Sequence, residues 1–494
     1  MLVSRSRRSF YFKNMKYQPS KKFILTVLPL AALVVSLGFG LLPELEEFEA
    51  RPIPGEITFK NTKPEVSHTT TVSALKRFGW SMDWFEEGYE NLMQWEYNPW
   101  KRNPGGFGDH FLKLSESKDP RDIAKASELR RLAEAWHQKL LLRFPELAVA
   151  MKTIPDEQNG FLKYLDLLDK IQASNPQAPP GIDFPKELAD YLNHQGTWNA
   201  DAAKTWLAQQ KSLVDEIHAI GLMPERSVNG IPVDRWGCTS GLFGKQCGEV
   251  MILEARVAAE QGNAAAALES VRAAKGLADH FNEIETPTLL AATVKSLMQL
   301  SLESQVLSNI IPALPAGQVD PAAWENALNP TVSDPAEFAR IMKGDWNFMN
   351  RYYLLPMLLD AEDPKYPPDG GDLLDYFSLT FLEIIRSHES ATLTDLPTLQ
   401  FPPMADASHL SRASGHAAAT ISFGASAWRK GWDRAQSVYA MNQAAFAIMK
   451  NQPIPKDPIY GQDYRWDPAT RQLSKPAGND FADLEIKPIT VPKL

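Results

Sequence analysis

Residues 250–280, VMILEARVAAEQGNAAAALESVRAAKGLADH, decide the fold class. Val250 to Gln261 is predicted helical, Gly262-Asn263 turns the chain, and Ala264 to His280 is helical again. Ala255, Gly262, Asn263, Ala267 and Ala274 are small or turn-forming, which lets two antiparallel helices approach closely. Thr286-Pro287 is expected to cap a third helix running to about Asn309. An α-α hairpin over 248–282 therefore sits inside an all-α chain.

Working outward, the same punctuation recurs. Asp119-Pro120 starts a helix with Leu129, Leu132, Ala133, Trp136 and Leu140 on its apolar face, closed by Pro145. A capped helix is expected from Asn199 through Ile220, with Gly221 as its stop. Nearer the N-terminus, Trp80, Trp84, Phe85, Tyr89, Leu92 and Trp95 recur at helical steps. Downstream, Pro312, Pro315, Pro321 and Pro330 mark a connection, and Asp334-Pro335 caps the next helix. Asp372 to Arg386 is apolar all round, the mark of a buried helix. A helix rich in Ala, Ser and Gly covers about Ala405 to Lys450, and a tail with one short hairpin around Asp467-Pro468 follows.

Phe23 to Leu42, FILTVLPLAALVVSLGFGLL, holds twenty residues without a charge. As a helix it spans roughly 30 Å, enough for a bilayer core. Arg5, Arg7, Arg8, Lys13, Lys16, Lys21 and Lys22 precede it with no acid among them, and Glu44, Glu46, Glu47 and Glu49 follow. The expected protein is a single-pass inner-membrane protein, its N-terminus inside and the bulk periplasmic. A cleaved signal peptide is the alternative, opposed by the length of the run and the lack of an A-x-A site. The 494 residues divide into a basic segment (1–22), an anchor (23–42), a linker (43–66), a helical domain (67–311), a Pro-rich connection (312–333), a C-terminal helical region (334–450) and a turn-rich tail (451–494). The net charge is −9, but the first 22 residues carry seven bases, so the rest carries −16. Such acidity excludes nucleic acid as a partner.

Cys238 and Cys247 are separated by eight residues in a glycine-rich run, and an oxidising compartment predicts a disulfide stapling a surface loop. No H-E-x-x-H, G-x-S-x-G, phosphate loop or G-x-G-x-x-G occurs, so no cofactor or metal is expected. His409 and His416 lie two helical turns apart, too far to share a metal alone. Asp457, Asp463 and Asp467 lack the alternation of a calcium loop and suit Asx turns. Glu383, inside LLDYFSLTFLEIIR, is the best acidic candidate: buried, it would hold its proton and serve as a general acid on a glycan, with Tyr376 and Phe377 at hand. Against this stands an ion pair with Arg386 or Arg351.

The 248–282 unit resembles one tetratricopeptide repeat, without its large aromatics and closing proline, and no second copy is found. Further on, Ala444, Ala445, Phe446 and Ala447 lead into Pro455-Lys456-Asp457-Pro458, Gly461 and Tyr464-Arg465-Trp466-Asp467-Pro468. This is similar to the closing D-P-x-x-G signature of a group of uncharacterised membrane-anchored helical proteins of bacterial envelopes. A looser version occurs in secretion pseudopilins, whose N-terminal Gly-Phe-x-x-x-Glu site is absent here. The resemblance implies architecture and no activity. Two functions follow as expectations: a non-catalytic scaffold binding an envelope protein through Glu269, Arg272 and Lys275, or a cell-wall glycan enzyme using Glu383. If the orientation is right, protease added to spheroplasts degrades everything beyond about Pro43, and a protected C-terminal region refutes it.

Overall fold

The structure is a computed structural model. It describes residues 57, 59, 108–175, 180–193, 195–236, 241–330, 332–360, 362–363, 369–399, 412–476 and 486–493. The helices of seven residues or more among them are α1 (Asp109–Glu116), α2 (Pro120–Arg143), α3 (Gly160–Ser174), α4 (Lys186–Leu192), α5 (Ala200–Gln209), α6 (Lys211–Gly221), α7 (Gly241–Glu260), α8 (Ala264–Asn282), α9 (Leu289–Gln305), α10 (Pro321–Leu328), α11 (Pro335–Met349), α12 (Gly370–Glu389) and α13 (Arg412–Met449).

The expected hairpin is α7–α8. Gly262 takes the left-handed conformation (φ 70°) that turns the chain, and the Asn263 side chain accepts from the Ala266 N–H at 3.1 Å to cap α8. Ala255, Ala259, Ala267 and Ala274 are all buried, so the two helices meet through alanine. α8 is then ringed by α3, α6, α7, α9 and α10. Its approach to α6 is the closest: a Cβ on Gly276 would overlap the Gly221 carbonyl oxygen, and a Cβ on Gly221 would overlap the Ala273 carbonyl. α11 and α13 close the far side of α9, α12 packs on both of them, and the buried apolar side chains form one cluster from Ile57 to Val491. The tail forms a three-stranded antiparallel sheet of β1 (Arg465–Asp467), β2 (Gln472–Ser474) and β3 (Ile489–Thr490), with Trp466 opposite Leu473 and Leu473 opposite Ile489.

Several boundaries differ from expectation. The helix from Asn199 is two helices, broken at Gln210 (φ −99°, ψ 17°), although Asn199 caps the first through the Ala202 N–H. Thr288, not Thr286, caps α9, accepting from the Ala291 N–H at 3.0 Å. Pro312 does not end that helix. A π-turn (Val306–Ile310) leads into a last α-turn, Ile311–Ala313, and a second π-turn (Asn350–Leu354) precedes Pro356 in Leu355–Leu359. A proline inside a helix removes one N–H and crowds the carbonyl four residues back, and a widened turn just before it relieves both. α10 lies within the 312–333 connection, started by Asp320-Pro321, the same Asp-Pro signal that starts α2 and α11. Phe23–Leu42 and the Trp80–Trp95 stripe lie outside the described residues, and no helix among those described is long and apolar enough to cross a membrane.

Gly276→Ala should therefore destabilise the fold by about 1–3 kcal/mol, the cost of overpacking, despite alanine's better helix propensity. Gly431→Ala on α13, where a Cβ meets nothing, should be neutral or stabilising by up to about 1 kcal/mol. Urea unfolding of both variants checks the contrast, and equal midpoints would contradict the close approach.

Candidate functional site

The charged groups that the fold draws together lie between α8, α9, α11 and α13. α9 presents Lys295, Gln299 and Glu303 at steps of four, so they run along one seam. Glu303 is 0% exposed. One of its oxygens accepts from Gln299 Nε2 at 2.8 Å and the other from Asn442 Nδ2 on α13. On α8, Lys275 Nζ donates to Asp279, whose other oxygen lies 3.9 Å from the Arg226 guanidinium. On α11, Arg340 donates to Glu337 at 2.7 Å and to the carbonyls of Asn282 (2.5 Å) and Ile284 (2.9 Å), tying the end of α8 to α11. Asn282 Nδ2 reaches Glu337 at 2.5 Å. Lys295 packs with its ammonium 5.4 Å from the centre of the Tyr439 ring.

Burial dominates the electrostatics. It pushes the Glu303 carboxyl up to about 7, against the opposing pull of the Gln299 and Asn442 amides and the Lys295 and Lys275 ammoniums. Burial pushes Lys295 down, aided by the like charge of Lys275. Asp345, which accepts from the Leu289 N–H at 2.9 Å at the start of α9, is pushed by burial up to about 7 as well. Carboxyls poised near neutrality are what proton transfer requires. Glu303, however, is enclosed by the helices that hydrogen-bond it. The nearby cavity between α7, α8 and α9 measures about 10 Å³, room for one water. Glu303 is thus enclosed among helices, and the cavity beside it has room for a water and no more.

Three buried histidines oppose these acids. His137 and His280 each bond a carbonyl-type oxygen through Nε2 at 2.9 Å, from Asn347 and Ile220, and leave Nδ1 unpaired, so each is the neutral tautomer with hydrogen on Nε2. His388 faces the Ile384 carbonyl with Nδ1 (2.7 Å) and the Arg429 guanidinium with Nε2, the opposite tautomer. Burial pushes all three down to about 4.

The residues singled out from sequence are dispersed. Glu269 and Arg272 are exposed on α8, but Lys275 is buried at 8% exposure against Asp279, a correction to its reading as a surface contact. The cause is the ring of helices around the C-terminal half of α8. Cys247 belongs to the buried helix α7 and not to a surface loop, because α7 begins at Gly241. Its thiol is free, and burial pushes it well above the usual range. Cys238 lies outside the described residues, as do His409 and the side chain of His416. Glu383 is partly exposed and pairs with Arg386 at 3.4 Å, which also reaches Glu146 at 3.2 Å. Arg351 pairs instead with Glu134. Asp457 is an Asx turn, accepting from the Ile459 and Tyr460 N–H groups at 2.9 Å and from the Tyr464 hydroxyl at 2.9 Å. Among the described residues no three His, Cys, Asp or Glu are placed to hold a metal ion.

The signal of the Lys295–Gln299–Glu303 stripe in the sequence is polar residues at steps of four beside Val294, Met298 and Leu302. No family model, no curated protein and no solved structure matches the chain.

A pH dependence follows. Between pH 4.5 and about 7 the folded chain holds the Glu303 proton that the unfolded chain has lost, so this contribution to stability falls as pH rises through that window. Each histidine acts oppositely, its contribution being complete above 6.5 and lost as pH falls toward about 4. Glu303→Gln removes the titrating carboxyl and with it the first effect. Its advantage over the parent should grow from pH 5 to pH 7.5, to on the order of 3 kcal/mol. Denaturant midpoints at the two pH values test this, and a pH-independent difference would refute it.

Proposed function

We propose that this chain is a membrane-anchored, extracytoplasmic helical scaffold that binds a protein partner and catalyses no reaction. The observation that carries the reading is the use made of the carboxyls. Glu303 and Asp345, the carboxyls that burial raises most, are sealed within the bundle and cross-link helices. Glu383, the acid suited by sequence to glycan chemistry, is held in a surface ion pair with Arg386. A retaining or inverting glycosidase needs two carboxyls facing one cleft, whereas Glu383 is tied at the surface to Arg386, which also reaches Glu146.

Other features agree with a scaffold. The chain beyond residue 22 carries −16 and follows a basic, apolar N-terminal stretch suited to an anionic inner leaflet. The one exposed stripe of α8, Ala265, Glu269 and Arg272, offers Glu269 and Arg272 as contacts, while the rest of the helix serves the core. A photo-activatable side chain at 269 or 272, cross-linked in intact cells, should yield one discrete adduct that excess unlabelled protein removes. Detectable glycan cleavage by the purified chain, lost in Glu383→Gln, would overturn the proposal.

A further inference from the structure

α11, α12 and α13 meet at a buried joint built on His388, near the end of α12. The ring is 0% exposed and lies stacked on Phe338 of α11, with centroids 4.4 Å apart. Its Nδ1 is 2.7 Å from the Ile384 carbonyl, which only accepts. Ser387 Oγ, whose own hydrogen goes to Ile384, lies 2.9 Å from Nδ1 as a second acceptor. Nδ1 therefore carries the hydrogen, and Nε2 accepts from the Arg429 guanidinium of α13. Arg429 is 4% exposed and donates as well to the Leu396 carbonyl at 3.2 Å and to Asp433 at 2.8 Å. Trp432 closes the joint edge-on to Phe338 at 5.8 Å. We infer that this joint is an acid-operated latch: a proton on His388 turns Nε2 from acceptor to donor and releases Arg429. The stretch of α13 around Arg429 then parts from α12 and the 393–396 turn, while the rest of the helix stays docked.

A protonated imidazole donates at both nitrogens, so its Nε2–H would meet guanidinium N–H groups across a buried contact. The charges on the surrounding elements do not relieve this. On α12, Arg386 turns outward to Glu383 and Glu146, and Glu389 is exposed. On α11, Glu337 and Arg340 are engaged with Asn282 and Ile284. Asp395 of the 393–396 turn binds the Thr392 N–H, and Arg434 of α13 is exposed. Burial, with the Arg429 charge adding to it, holds His388 down at about 4. The latch is therefore fully closed above 6.5, the ordinary value, and gives way as pH falls toward about 4. Asp433, raised by burial, works the other way, because it binds its proton more tightly in the closed joint. Further along α13 the fastenings do not involve His388. Gln436 accepts from the Ser333 N–H at 2.7 Å, Asn442 donates to Glu303, and Lys450 donates to Glu325 at 2.6 Å. Release is accordingly local, and it does not depend on the scaffold reading.

Hydrogen exchange of the full-length chain, read by mass spectrometry as protection factors at pH 7 and pH 5, tests the latch. Protection of 393–399 and 429–435 should fall on the order of tenfold, while 440–448 keeps its protection. His388→Gln retains an acceptor for Arg429 without a titrating group and should abolish the fall. In the parent itself, nitrogen-15 NMR of histidine-labelled chain should show a buried ring with hydrogen on Nδ1 that titrates below pH 5. No fall in the parent, an equal loss of protection along all of α13, a fall that persists in His388→Gln, or a His388 hydrogen on Nε2 overturns the inference.

Discussion

The constraint on which the structure depends is that five helices pack around α8 and enclose its C-terminal half. A helix ringed by five others cannot carry large side chains toward all of them, and α8 is accordingly built from Ala264, Ala265, Ala266, Ala267, Ala273, Ala274, Gly276 and Ala278. At Gly276 the requirement is strictest, because the end of α6 places a carbonyl oxygen where any side chain would begin. Small residues give up apolar area, and larger partners restore it. Tyr164, Phe243 and Phe281 pack together where α3, α7 and α8 meet, with the Tyr164 and Phe281 rings edge-to-face at 5.1 Å.

The polar network follows from the same crowding. Lys275, Asp279 and Asn282 lie on the half of α8 that is enclosed, so each must find its partner inside the protein. Asp279, Glu337 and Arg340 answer them across short distances. Leaving one partner of such a set unpaired is costly, whereas the complete set contributes little net stability. Its value is positional: hydrogen bonds from Arg340 to the carbonyls of Asn282 and Ile284 fix the direction in which the chain leaves α8 for α9. Glu303 repeats this between α9 and α13, with both oxygens committed to amides.

How far the sequence could be read depended on whether a feature was local. Caps and turns were legible, since Asp119, Asn199, Asn263 and Asp334 each act on an N–H two or three residues away. The Asp457 turn was legible for the same reason. The fate of Lys275 was not. Its solvent exposure is set by α6 and α9, and a helix read alone looks equally open on its polar positions. The break at Gln210 and the passage through Pro312 also depend on packing, because both segments satisfy helical periodicity. Glu303 was hidden because an acid beside amides on an amphipathic helix reads as a solvated face until a neighbour, here Asn442 from a helix 139 residues away, covers it.

A hairpin of tetratricopeptide proportions usually suggests a ligand-binding groove on its inner helix, yet here that helix is spent on the core. Arrays leave the concave face of each hairpin open because every repeat is covered only by its neighbours along the stack. With one hairpin and no stack, α7 and α8 bury their apolar faces only if other helices wrap them, and α3, α6, α9 and α10 do so. Enclosure therefore replaces repetition as the source of stability. On α8 only Ala265, Glu269 and Arg272 stay exposed. α10 touches both α8 and α13, so one short helix joins the core hairpin to α13.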